Sequence, residues 1–124
     1  MGLEKPEITE VGDAPPTDLQ INDLVEGEGA QAKPGDSVTV HYVGVAYSTG
    51  RQFDASWDRG RPFSFPLGAG RVIAGWDQGV AGMRVGGRRE LRIPSHLGYG
   101  DRGAGQAIRP GESLIFVVDL LSVT

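Results

Sequence analysis

The chain has 124 residues, and its 16 acidic and 12 basic side chains leave a formal net charge of −4, a length that supports about one domain with one hydrophobic core. No run of eighteen apolar residues is present to span a membrane, and the lack of any cysteine removes disulfides, thiolate nucleophiles and thiolate metal sites together. Through Asp36 nine acids face Lys5 and Lys33, and beyond it seven acids face ten arginines, so the two parts sum to −7 and +3, without the clustered positive charge of a nucleic-acid binder.

Residues 1–17 lack periodicity and contain Pro6, Pro15 and Pro16, which reads as a flexible or loosely docked acidic tail ahead of a domain over 18–124. The opening MGLEKP has no apolar signal core, and Pro6 stands where a myristoylation motif needs Ser or Thr. With cysteine absent, a cytoplasmic location is the expectation. Leu19, Ile21, Leu24 and Val25 then outline a first strand, closed by Gly27 and Gly29 and followed by a Lys33-Pro34-Gly35-Asp36 turn.

From Ser37 the run SVTVHYVGV alternates, with Val38, Val40 and Tyr42 on one face and Ser37, Thr39 and His41 on the other, predicting a half-buried strand. A Ser48-Thr49-Gly50 turn leads to the extended run RQFDAS, and PFSFPLG alternates again through Phe63, Phe65 and Leu67. RRELRI forms another strand closed by Pro94, a long glycine-rich loop holds Tyr99, and SLIFVVDLLSV is the most apolar strand, with Leu114, Phe116, Val118 and Leu120 inward. Twenty glycines without a repeat period, well above the usual ~7%, fit short strands joined by tight turns.

Between these strands lies VIAGWDQGVAGM, residues 72–83. Ile73, Trp76, Val80 and Met83 recur at helical spacing, yet Gly75, Gly79 and Gly82 each cost a helix about 1 kcal/mol against alanine. Two readings follow: a core helix packed tightly on a sheet, or a helix whose tryptophan floors a pocket. Five or six antiparallel strands need one covered face, and this helix is the cover available. The fold class is α+β, a curved antiparallel sheet wrapped around one short helix.

Standard catalytic sets are missing. His41 and His96 stand 55 positions apart with no companion at metal-ligand spacing. No GxSxG elbow, GxGxxG or GxxxxGK[ST] occurs, and Asp54 with Asp58 does not by itself make an acid–base pair. No cofactor is expected. What remains is aromatic: Tyr42, Phe53, Phe63, Trp76, Phe116, and Tyr99 held in a glycine-flanked loop where it caps a pocket or meets a ligand. For Phe63, Trp76 and Phe116, placement in the core is the plainer reading. Asp54 reads equally as a turn former or a buried acceptor.

The series VHYVG, FDASWDRGRPFSFPLG, VIAGWDQGVAGMRVGGRRELRIP, LGYG and SLIFVVDLL strongly resembles the FKBP family of peptidyl-prolyl cis/trans isomerases, in order from about Asp18 to Thr124. The resemblance implies a twisted half-barrel on a short helix with Trp76 beneath a bound proline ring. It also implies a proline pocket made of Tyr42, Phe53, Asp54, Arg59, Phe63, Val72, Ile73, Trp76, Tyr99, Ile108 and Phe116. Of these, Tyr42, Phe53, Asp54, Trp76, Tyr99 and Phe116 are expected to carry catalysis, and Arg59, Phe63, Val72, Ile73 and Ile108 to bind substrate. The implied partners are proline-containing peptides, folding proteins, and the macrolides tacrolimus and rapamycin. No nucleic-acid or membrane partner is implied, and a monomer is expected. A proline-segment or macrolide-binding module, or a chaperone, in which turnover is incidental is the alternative; the chain has little room for the added domain a chaperone usually carries. Two positions depart from the family pattern: Ala104 where some members carry histidine, and Trp57, expected near the pocket rim.

Overall fold

The alternation in SVTVHYVGVA gives the sheet its central strand. The computed structural model describes residues 4–8, 12, 14–105 and 108–124. In it, β1 spans Gln20–Val25 and β2 spans Ser37–Ala46. The chain continues through β3 (Gln52–Ala55), α1 (Ser56–Arg59), β4 (Phe63–Pro66), α2 (Ala74–Gly79), β5 (Arg88–Ile93) and β6 (Leu114–Val123). One long edge of β2 pairs with β6, from Val38 to Ala46. Its other edge is shared, with β4 along Ser37–Val40 and β3 along Val43–Val45. β5 takes the far side of β6 and β1 the far side of β5, giving the order β1-β5-β6-β2-β3 with every pair antiparallel. The right-handed twist between neighbouring strands curls this sheet around α2. The α+β half-barrel expected from the sequence is the fold observed.

The inner face carries Val38, Val40, Leu91, Ile93, Leu114, Phe116, Val118 and Leu120, all at most 3% exposed, against Trp76, Val80 and Met83 of the helix segment. Each such side chain contributes roughly 1.5–3 kcal/mol through burial. The glycines of α2 have a packing cause. A Cβ at Gly75 would lie 2.6 Å from Ile93 Cγ2, and one at Gly79 would lie 2.7 Å from Leu91 Cδ2. The helix therefore rests directly on β5. It is shorter than its apolar stripe suggested: Val80 is its C-cap, donating to the Trp76 carbonyl at 2.8 Å. Gly82, at φ 92°, turns the chain so that Met83 enters the core from the turn.

The outer face departs from the half-buried expectation. Only the first part of β2 alternates in burial, and Tyr42 through Ala46 are all buried. The cause is the N-terminal segment. Ile8 packs on the Val45, Tyr47 and Ile115 cluster, Tyr47 Oη donates to the Ala14 carbonyl at 2.5 Å, and Arg88 Nη2 donates to the Glu4 carbonyl at 2.7 Å. Lys5 pairs with Asp58 at 2.8 Å. The described part of the 1–17 tail thus lies along the sheet, while its residues 1–3, 9–11 and 13 lie outside the described set. Under this cover Asp119 is 1% exposed and takes Arg88 Nε at 2.6 Å and Nη2 at 3.2 Å. Trp57 also belongs to this side: its ring stacks on His41 with centroids 4.2 Å apart. It does not line the pocket, contrary to the expectation from sequence, because His41 points to the opposite face of β2 from Tyr42.

Candidate active site

The mouth of the half-barrel is lined by rings because four strand positions, on β2, β3, β4 and β6, and one turn of α2 converge there. Trp76 is 4% exposed and forms the floor. Tyr42 meets it edge-on at 4.8 Å, Phe116 at 5.2 Å and Phe63 at 6.1 Å, and Phe53 stands edge-on to Phe116 at 5.5 Å. Such T-shaped pairs add about 0.5–1.5 kcal/mol each to burial alone and hold the walls rigid. Gly44 makes the arrangement possible, since a Cβ there would sit 2.5 Å from Phe116 Cε1 and 2.8 Å from Phe53 Cζ. The indole contributes ring area only: its Nε1 is buried with no partner among the described residues. Above it opens a cavity of about 440 Å³.

One wall is polar. Asp54 on β3 accepts Tyr42 Oη on Oδ2 at 2.5 Å and Arg59 Nη1 on Oδ1 at 2.5 Å, and Arg59 Nη2 donates to Tyr42 Oη at 2.8 Å. This closed triangle depends on α1, a four-residue helix that the sequence did not announce. Ser56, fully buried at its start, accepts the Tyr42 backbone N–H at 2.7 Å and bonds His41 Nδ1 at 2.8 Å. Gly60, left-handed at φ 73°, ends the helix just after Arg59. Burial, then the Asp54 hydrogen bond, push the Tyr42 phenol above its ordinary range. The hydrogen bonds to Tyr42 and Asp54 raise the Arg59 guanidinium in turn. Asp54 is an acceptor, not a turn former, with its side chain 38% exposed.

The opposite wall comes from the loop into α2 and from the long loop after β5. Val72 and Ile73 line the cavity beside Gly70 and Arg71, two residues the sequence reading did not single out. Asp77, in the first turn of α2, pins this loop by accepting Gly68 N at 2.8 Å and Gly70 N at 3.0 Å. Ile73 caps the helix, its carbonyl taking Trp76 N at 2.9 Å and Asp77 N at 3.3 Å, so its own N–H lies outside the helical ladder. Tyr99, 38% exposed, stands between Gly98 and Gly100 at the start of a 3₁₀ turn (Gly100–Arg102). Burial, then the Asp54 charge, raise its phenol, and its hydroxyl has no hydrogen-bond partner among the described residues.

Nine of the eleven pocket residues named from sequence line this one cavity: Tyr42, Phe53, Asp54, Phe63, Val72, Ile73, Trp76, Tyr99 and Phe116. Arg59 stands behind the lining and acts on it through Asp54 and Tyr42. Ile108 is 4% exposed within the core, bridged to Ala104, rather than on the cavity wall. Gly70 and Arg71 carried no pattern in the sequence; one exposed arginine in a glycine-rich turn resembles any solvated side chain.

The family model described as FKBP-type peptidyl-prolyl cis-trans isomerase matches residues 28–121. The chain belongs to that family. Among curated relatives of this FKBP is the FK506-binding protein of Streptomyces anulatus, 64% identical over 124 residues, covering 99% of this chain and 100% of that protein. The peptidyl-prolyl cis-trans isomerase FPR2 of Saccharomyces cerevisiae is 55% identical over 111 residues, covering 86% and 82%. The crystal structure of AtFKBP13 matches with a TM-score of 0.80 at 40% identity, over 89% of this chain and 96% of that one. FkpA from Escherichia coli matches with a TM-score of 0.77 at 38% identity, over 86% and 48%. Like its relatives, this FKBP is a peptidyl-prolyl cis-trans isomerase.

Proposed function

We propose that this isomerase seats the proline ring of its substrate on Trp76 and turns the preceding amide within the aromatic cavity. The observation that carries the reading is the floor itself: a buried tryptophan, ringed edge-on by Tyr42, Phe63 and Phe116, under a cavity of about 440 Å³. The reaction needs no nucleophile. The planar amide resists rotation by ~18–20 kcal/mol, and an X-Pro bond turns over in tens to hundreds of seconds unaided. Planarity is held by charge-separated resonance, which water supports by hydrogen-bonding the carbonyl oxygen. A twisted amide loses that polarity, so a dry aromatic wall penalises it less than the planar form. Lowering the barrier by ~8 kcal/mol would give about a million-fold, and fixing the ring in a rigid pocket supplies part of that.

The remaining residues position the chain. Trp76, Phe63, Val72, Ile73 and Phe116 enclose the ring, with Ile108 behind them. The Ile73 N–H, outside the α2 ladder, holds one substrate carbonyl, since donors at a helix start lack internal partners. The Tyr99 hydroxyl holds another. Asp54, locked by Tyr42 and Arg59, keeps the polar wall in place beside Phe53 and polarises the twisted amide. The same cavity accepts macrolides such as tacrolimus and rapamycin, a reading supported by relatives named for binding FK506. The protein acts as a monomer on proline-containing peptides and folding chains in the cytoplasm, where a chain without cysteine needs no oxidant to fold. The N-terminal segment is a strap on the outer sheet face rather than part of the catalytic domain.

The test is the cis/trans exchange rate of a short Leu-Pro peptide, read by NMR with and without the protein. Acceleration is expected, abolished by tacrolimus and reduced at least tenfold by Trp76→Ala, Phe53→Ala and Asp54→Val. Full acceleration by all three folded variants would sink the assignment of these residues. Binding of the drug without acceleration would make the protein a binding module.

A further inference from the structure

The charges on the cavity wall do not balance. The charged side chains of the lining are Asp54 and Arg71. Asp54 is already neutralised, by Arg59 Nη1 at 2.5 Å. Arg71 has no ion-pair or hydrogen-bond partner for its guanidinium among the described residues. The carboxylate that anchors its loop, Asp77 in the first turn of α2, is committed elsewhere: its two oxygens accept backbone N–H groups, from Gly68 and Gly70. Those two bonds hold the loop that presents Arg71, with Gly68 at φ 81° and Gly70 at φ 72°, so the cation stands on a fixed stretch of backbone beside the ring-binding floor. The wall is left with one uncompensated positive charge.

The geometry points to Arg71 as a specificity residue that favours proline segments carrying an acidic side chain within a few residues of the proline. This rests on the proposed use of the aromatic cavity as the proline pocket. With the proline ring seated on Trp76, the flanking substrate chain leaves the cavity along its wall, where the exposed Arg71 stands. An acidic side chain there gains an exposed ion pair and a lysine meets like charge. Such pairs are weak and screened by salt, which sets the expected discrimination at about two- to fivefold at low ionic strength. The sign is not general to the protein, whose net charge of −4 would disfavour acidic substrates if overall charge decided. A neighbouring cavity that shares Phe53 carries Arg51 and Arg109, together with Glu112, which is engaged by Ser48, and provides the competing assignment.

The test uses three Leu-Pro peptides of one length, differing only in Glu, Gln or Lys at a single flanking position, placed in turn on either side of the proline. Exchange rates by NMR and dissociation constants by NMR titration are both read, for the natural protein, Arg71→Gln and Arg71→Glu. Ratios are taken within each protein, so a general change in activity cancels. The natural protein is expected to rank Glu over Gln over Lys by about two- to fivefold per step on at least one side, and to lose the ranking at high salt. Arg71→Gln is expected to be flat and Arg71→Glu to reverse the order. An unchanged ranking in Arg71→Gln overturns the inference, as does a flat natural protein. So does a ranking lost only when Arg51 and Arg109 are replaced together, which assigns the selection to the neighbouring cavity. If no peptide is accelerated, the isomerase use of the cavity fails, while the dissociation constants still decide the role of Arg71.

Discussion

Replacing Gly75 with alanine sets two effects of opposite sign against each other. By helix propensity alone the change stabilises by about 1 kcal/mol. Packing opposes it: the new Cβ would stand 2.6, 2.7 and 2.9 Å from three carbons of Ile93, where carbon pairs prefer ~3.5–4.0 Å. Ile93 is fully buried in β5, so relief requires its side chain to leave its packed position or α2 to lift from the sheet. Overpacking of this kind costs typically ~1–3 kcal/mol. The net expectation is a loss of about 1 kcal/mol, with 2 as the upper end, seen as a fall of roughly 3–8 °C in Tm and a lower urea midpoint at unchanged slope. Gly79→Ala, aimed at the more pliable methyls of Leu91 at 2.7 and 2.9 Å, should cost less. Because Trp76 follows Gly75 directly, lifting α2 also moves the cavity floor, and peptide affinity should fall with stability. A Gly75→Ala protein more stable than the natural one would refute the packing account of this glycine-rich helix.

Arg88→Met should destabilise by about 3–5 kcal/mol in urea denaturation, because it strands the buried Asp119 carboxylate; adding Asp119→Leu should recover much of the loss. Tyr42 and Tyr99 should ionise above the ordinary tyrosine value, followed by ultraviolet absorbance, and Asp54→Asn should bring both down. Since the folded state holds these protons more tightly than the unfolded chain, their contribution is complete below pH ~10 and is lost as pH rises through the folded values. Lys5→Ala should let the Asp58 carboxyl rise toward its ordinary range, since the Lys5 hydrogen bond, then that of Gln52, hold it low; carboxyl-carbon NMR that shows no movement would mean the strap contact does not persist in solution.

Periodicity made most of the sheet legible. Val38, Val40 and Tyr42, and Leu114 through Leu120, alternate because one face meets the helix, and the ordered motifs gave nine residues of one cavity. What escaped has identifiable causes. A helix as short as Ser56–Arg59 has barely one turn in which to show a period. Asp119 occupies an outward position in its strand and would be solvated if residues 4–8 did not cross that face, a contact between segments more than a hundred positions apart. Trp57 stacks on His41 because both lie on the outer side of β2, which required the unforeseen α1 to turn it there. Arg71 matters only because Asp54 is already paired with Arg59, and such a balance of charges is a property of assembled neighbours.

The most direct measurement places the substrate. In one sample of protein with a Leu-Pro peptide, exchange spectroscopy reads the interconversion rate, and intermolecular NOEs report which protein protons touch the proline ring. Accelerated exchange together with NOEs from the ring to the Trp76 indole and to Phe63 and Phe116 is the predicted result. Accelerated exchange with proline contacts elsewhere on the molecule would contradict the account.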